Sequence, residues 1–498
     1  MTRRGFLACG AASAGALALG VPGALAEDAP TTKPKIRLVF PHRPPDQATW
    51  PNIGYDYEGR KKELAARLRE ACPDVEFLPA TALSREDAVK IVQADAEVDG
   101  YLVYLVGIWT SASEVCAKTG KPTLFVDDLY AGSGEFLIQY ANCRRQGLKV
   151  VGVSTAKFED VAAVARCFGM LKKPGVTADD WFAAAEAKRR AGLAPMGDMA
   201  CPADDVKVSD VGKCLEALKA DKMLVVGRGN SKDVITNELG ITMIPIGFAE
   251  LDAAYSKADR DEAAACADRW IKGAEKVVEP SRECLVDCGA MYLGMKALMA
   301  QHGAEAITIN CLGGFYGGHM KAYPCMGFFQ FNNDGLVGAC EADTNSTTTM
   351  MVMRRLTDRP GYISDPVVDT STNQIIYAHC VASSKVFGPQ GPSNPYHIRD
   401  HSEDRKGACV RSLMPLGRMT TTLEFAGKRV VLHQAKTVAN IDEDKACRTK
   451  LAADLKGDMA KLLDNWAFGW HRVTVYGDVL SPVKELAKAV GFEVVEEA

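Results

Sequence analysis

Apolar positions along the first 310 residues alternate between two rhythms. Short apolar runs at 36–40, 75–78, 101–106, 122–126 and 150–153 have the length of buried strands. Between them, 57–71, 85–96 and 158–167 carry helical spacing. Leu64 and Leu68, for example, lie four apart with charges between them, as on the buried stripe of an amphipathic helix. Strands alternating with helices predict a parallel sheet covered on both faces. A second series begins near Lys172. It has a strand at 223–226, helical patterns over 261–278 and 281–301, and a buried strand at 306–310. After about Pro360 strand-like runs dominate, at 374–378, 420–425 and 429–432, with a polar Pro/His/Arg-rich loop over 388–405. A helix is expected over 450–466, then a final helix–strand pair. The expected fold class is α/β: two Rossmann-like parallel-sheet domains, 36–171 and 172–359, followed by a β-rich C-terminal domain, 360–498.

Length and composition agree with several domains. At 498 residues the chain exceeds one ordinary core. A net charge of −4, with no long block of like charge, predicts no nucleic-acid surface. Thr2-Arg3-Arg4-Gly5-Phe6-Leu7 is a twin-arginine pattern, followed by an Ala/Gly-rich run and the cleavage-type triplet Ala24-Leu25-Ala26. Residues 1–26 are therefore expected to be an export signal to the periplasm or outside, and 27–35 a Pro-rich linker. The apolar run is too short for a stable membrane span, and none is expected elsewhere. Of 16 cysteines, Cys9 lies in the leader. The remainder sit mostly in apolar runs and are expected to be buried thiols rather than a disulfide framework.

The chemistry concentrates between Asn310 and Cys380. Cys340-Glu341-Ala342-Asp343 places acids where an apolar run ends and a helical run begins. Carboxylates there are unfavourable unless a metal, a partner charge or a ligand satisfies them. Asp365 and His379 follow in the same stretch, and His471 precedes a late strand at 473–476. Two imidazoles with Glu341 and Asp365 make a mixed N/O set suited to a hard or borderline divalent ion such as Mn²⁺, with open positions for substrate hydroxyls. Asp343 is read as a helix N-cap or as an orienting partner of this set. Loops at 41–56 and 127–135 follow strands of the first sheet, where ligands commonly bind. They carry Trp50 and Asp128, against the plainer reading of solvated turns. His397 and His401 would touch substrate hydroxyls, or be solvated loop residues. Trp50, Trp466 and Trp470 would stack on an apolar substrate face, or pack a core. Gly227-Arg-Gly-Asn-Ser resembles a phosphate-cradling turn but lacks the full fingerprint, so a tight strand-to-helix turn is the better reading.

The stretch CEADTNSTTTMMVMRRLTDRPGYISD, the later His379-Cys380 and the segment ACRTKL…WHRVTVYGD resemble the L-fucose/L-arabinose isomerase superfamily, especially the shorter L-fucose isomerase-like proteins. The resemblance runs from about Lys222 to the C-terminus. It implies two α/β domains with a β-rich C-terminal domain, Mn²⁺, and a homo-oligomer of three or six chains. It implies that Glu341 and Asp365 are the catalytic, metal-binding acids, and that His379 and His471 complete the metal set. The implied activity is aldose–ketose isomerisation of a free, fucose- or arabinose-like sugar through an enediol. A non-catalytic sugar-binding protein on the same fold, and an epimerase or lyase acting on a sugar derivative, are the alternatives.

Overall fold

The computed structural model describes residues 32–228 and 233–498. The expected export signal, residues 27–31 of the linker, and residues 229–231 of the Gly227 turn lie outside the described residues. Lys33–Ala498 forms one unit.

Five strands, β1 (Lys35–Pro41), β2 (Glu76–Ala82), β3 (Gly100–Leu105), β4 (Thr123–Asp127) and β5 (Val150–Ser154), make the first sheet in the order β2-β1-β3-β4-β5. Every pair is parallel. β3, β4 and β5 are buried along their whole length, because helices cover both faces. Further along come β6 (Lys222–Val226), β7 (Ile235–Thr236), β8 (Thr242–Ile246), β9 (Lys276–Val277), β10 (Ala306–Ile309) and β11 (Val337–Cys340). All but β9 form the second sheet, in the order β11-β10-β6-β8-β7. It is parallel except for the short β7 edge.

The C-terminal region holds β12 (Tyr362–Asp369), β13 (Gln374–His379), β14 (Tyr396–Arg399), β15 (Cys409–Ser412), β16 (Met419–Ala426), β17 (Arg429–Asn440), β18 (Thr449–Lys456), β19 (Arg472–Tyr476) and β20 (Glu493–Glu496). Strand order β16-β19-β12-β13-β18-β17, with β16 also paired to β17, closes a six-stranded barrel, and β20 lies along β17. β15, β14 and β9 form a small separate sheet. The fold class is thus parallel-sheet α/β followed by a β-rich barrel.

One element departs from its local pattern. Residues 450–466 carry the Ala, Leu and Lys content of a helix, yet the first part is β18. It pairs with β13 on one side and β17 on the other, and these tertiary contacts override a weak local propensity. Gly457, at φ 146°, breaks the chain before the short helix Met459–Asn465. Similarly, the helix expected over 261–278 stops at Gly273, and β9 follows.

The first sheet docks on the barrel through its carboxyl end. Ser154 at the end of β5 donates to Val368 O (2.6 Å), and Thr370 N donates to Ser154 O (3.0 Å). All fifteen cysteines in the described residues are free thiols, and twelve are buried. Among the described residues no helix is long and apolar enough to cross a membrane.

Candidate metal centre

Four side chains, three from strand ends and one from within β12, converge where the second sheet meets the barrel. Glu341 directly follows β11. Asp365 lies in β12, His379 ends β13, and His471 immediately precedes β19. β12 runs between β19 and β13, and the pairings Ser364–Arg472 and Asp365–Ala378 set these positions side by side. One ligand atom from each of Glu341, Asp365, His379 and His471 lies within 4.8 Å of all the others.

Local backbone geometry aims Glu341. It and Ala342 both adopt left-handed φ, 66° and 50°. Each such non-glycine residue costs about 1–3 kcal/mol and persists only where its surroundings force it. Here Ala342 N donates to Ile309 O (2.9 Å), and Asp343 caps the helix Thr344–Thr357 by accepting from Asn345 N (2.9 Å) and Ser346 N (3.1 Å).

The spacing within the group fits an ion better than direct hydrogen bonds. His471 Nε2 is 3.1 Å from Asp365 Oδ1, without hydrogen-bond alignment, and 3.6 Å from Glu341 Oε2. His379 Nε2 is 4.0 Å from both Glu341 Oε1 and Asp365 Oδ2. Asp365 Oδ1 and His379 Nε2 are buried polar atoms with no hydrogen-bond partner. Orphaned buried groups of this kind are rare, and a divalent ion ligated by two imidazoles and two carboxylates would satisfy them together.

The two histidines differ in what backs them. His471 Nδ1 donates to Asp343 Oδ2 (2.8 Å), which turns Nε2 toward the acids. Burial alone would lower its pKa, but Asp365, Glu341 and Asp343 together raise it well above the usual imidazole value. The same contact holds Asp343 well below the ordinary carboxylate range despite its burial. Asp343 is therefore both a cap and an orienting partner. His379 Nδ1 accepts from Cys380 N–H (2.8 Å), so its neutral ring carries the proton on Nε2. Burial lowers its pKa. Glu341 has a third of its side chain exposed, yet desolvation and the Asp365 charge push its carboxyl well up against the pull of His471.

The remaining residues singled out from sequence are placed differently. Trp470 Nε1 donates to Pro366 O (2.9 Å), and its ring packs edge-on against Trp50 at 4.6 Å. Trp50 and Trp466 are buried packing residues, the latter beneath the Arg472 guanidinium. Gly134 is required beside Trp470, because a Cβ there would approach Cε3 to 2.6 Å. Both Asp128 oxygens accept from Arg60, at 2.6 and 3.0 Å. His397 lies on β14 beside Glu275, at 3.4 Å. Neither Asp128 nor His397 bonds to any of the four clustered residues. His401 is paired with Asp404 (3.1 Å), which raises its pKa well above normal even though it is buried.

Two neighbours of the centre carry no clear sequence signal. Trp109, at φ 67°, is 44% exposed and sits 5.9 Å from the ring of Trp470, the residue before His471. Glu403 is buried, accepts from Tyr316 OH (3.0 Å) and feels the Asp365 charge. Both come from irregular segments whose position depends on distant packing.

No family model matches the chain. Among curated proteins it is similar to sulfoquinovose isomerases of Priestia aryabhattai and Priestia megaterium, each 22% identical over 311 residues, which cover 57% of this chain and 66% of the relative. A sulfoquinovose isomerase of Alkalicoccus urumqiensis is 22% identical over 209 residues, 41% of this chain and 46% of the relative. The chain thus spans just under two thirds of the Priestia proteins and about half of the third.

Proposed function

We propose that this protein is a metal-dependent sugar isomerase that interconverts an aldose and its ketose through an enediol. The observation that supports it most is the convergence of Glu341, Asp365, His379 and His471 on one point, with Asp365 Oδ1 and His379 Nε2 buried and unpartnered. Similarity to three proteins named sulfoquinovose isomerase supports the same reaction class.

The reaction moves one proton between neighbouring carbons and another between their oxygens. Glu341, Asp365, His379 and His471 would hold a divalent ion, with Mn²⁺ the expected choice. When bound, that ion supplies charge stabilisation for the two neighbouring sugar oxygens as they become anionic. Glu341 is the more accessible acid and has a raised proton affinity, which suits it to take the proton from one carbon and return it to the next. Asp365, buried on a barrel strand, serves the oxygens. His471 is oriented by Asp343 and keeps its Nε2 lone pair on the centre.

The test is metal content and ketose formation with Mn²⁺, comparing the wild type with the Glu341→Gln/Asp365→Asn double variant. Sulfoquinovose, L-fucose, L-arabinose and D-arabinose would be offered in parallel. Ketose from the wild type only, with metal lost in the double variant, is the expected result. Metal without ketose would redirect the reading to epimerase or lyase chemistry on the same acids. No metal uptake by the wild type would overturn it. We further propose export through the twin-arginine leader and assembly into a homo-oligomer. The N-terminus of the secreted protein and its mass in solution would check these.

A further inference from the structure

Behind His471 the barrel buries a carboxyl that the reaction above does not use. Glu424 lies on β16 and is 1% exposed. Among the described residues its hydrogen bonds go to one group, Ser346 Oγ, which is 3.1 and 3.2 Å from its two oxygens. None of the described residues forms an ion pair with it. Arg472, the cation whose field it feels most, is held by Glu497. Asp343 and His471 are the other charged groups whose fields it feels.

Ser346 also faces Asp343. Its Oγ is 2.8 Å from Asp343 Oδ2, the oxygen that receives the His471 Nδ1 proton. A serine hydroxyl carries one proton and two lone pairs. That proton cannot serve two carboxylates. If Ser346 donates to Asp343, Glu424 must bring a proton of its own and donate it to the Ser346 lone pair. Burial without a cation favours that neutral form, and its pKa is driven well up for the same reason.

We propose that Glu424 is a positioning residue: as a neutral acid it donates to Ser346, Ser346 donates to Asp343, and Asp343 in turn fixes His471 with its proton on Nδ1 and its Nε2 lone pair on the metal centre. The inference rests on the metal-site reading above. It adds an anchor three hydrogen bonds removed from the histidine. Were Glu424 ionised, Ser346 would be drawn away from Asp343, and two like charges would face each other across it.

The experiment compares Glu424→Gln, Glu424→Leu and Ser346→Ala in the full chain by Mn²⁺ titration and by the imidazole N–H signal of His471 in the NMR spectrum. Gln retains a donor and is expected to bind Mn²⁺ within about threefold of wild type. Leu and Ser346→Ala remove the chain of donors and are expected to bind about tenfold more weakly, at the low end of losses caused by outer partners of a metal histidine. The protected Nδ1–H signal should persist in Gln and broaden or vanish in the other two. Wild-type-like Mn²⁺ affinity and N–H signal in all three would overturn the proposal, as would a Gln variant as impaired as Leu. If the wild type takes no metal, the metal-site reading fails and the N–H signal alone decides the role of Glu424. Loss of the signal in Leu but not in Gln supports it, and an unchanged signal overturns it.

Discussion

His471 and His379 stand 5.8 Å apart, ring centre to ring centre, and are prepared in opposite ways. His471 is backed by a carboxylate on Nδ1, and its backbone carbonyl accepts from Arg472 Nη1 at 2.7 Å. Its raised proton affinity means that, before an ion arrives, a proton sits among the acids in its place. His379 is backed by a backbone N–H, has a depressed pKa and points an N–H rather than a lone pair at the centre. To act as a neutral ligand through Nε2, its ring must carry the proton on Nδ1 instead, which means releasing the Cys380 N–H contact. The comparison teaches that proximity alone does not make two imidazoles equivalent: the group behind each ring decides which is ready to bind.

The sharpest way to break this comparison is His471→Gln. Metal affinity should fall by more than the roughly 100-fold reached when only an outer partner is lost, and ketose formation should disappear with it. A calorimetric titration showing near-wild-type affinity would reverse the ranking of the two rings. Asp343→Asn comes next. Affinity should weaken by roughly 10- to 100-fold, whereas the helix start should persist, because Asn caps a helix about as well as Asp, and any stability lost should be that of the His471 contact. A large loss of stability with intact affinity would make Asp343 a cap alone.

The pH dependence is the third test. His471 has a raised pKa, so protonation below that pKa opposes metal, and loading must expel a proton. Apparent affinity should therefore fall as pH is lowered, by about tenfold per unit for each proton released. Flat affinity between pH 5 and 8 would contradict a protonated His471 in the metal-free protein. The smallest effect is expected from His379→Gln, a loss of about threefold to tenfold, because its ring is not preset as a ligand. A loss exceeding that of Asp343→Asn would show that His379 swings readily into place.

Much of the architecture was legible because the strands of both sheets are short, apolar and separated by helical repeats, a pattern that buried parallel strands impose. Glu341, Asp365, His379 and His471 stood out because acids and imidazoles at the ends of apolar runs demand a reason, and the structure does bring the four together. What escaped was set by tertiary contact. Residues 450–456 look helical alone and become β18 only between β13 and β17. Glu424 reads as one more polar position in a strand until Ser346, 78 residues away, is seen to face it. Trp50, Asp128 and His397 were singled out for loop position and residue type. Burial of Trp50, and the salt-bridge partners of the other two, are invisible without the fold.

Three of the four clustered residues hang on three neighbouring strands of a closed barrel, β19, β12 and β13, and the fourth on the second sheet. A one-residue slip between any two of these barrel strands would move a ligand by about 3.3 Å and turn it to the opposite face. Because the barrel has no free end at which to absorb such a shift, the slip would have to be shared around the ring. A bound ion would then act as a checksum on assembly. Only a chain that has closed its barrel in the correct register and seated the second sheet against it would retain the ion, so metal retention would sort correctly folded molecules from misregistered ones.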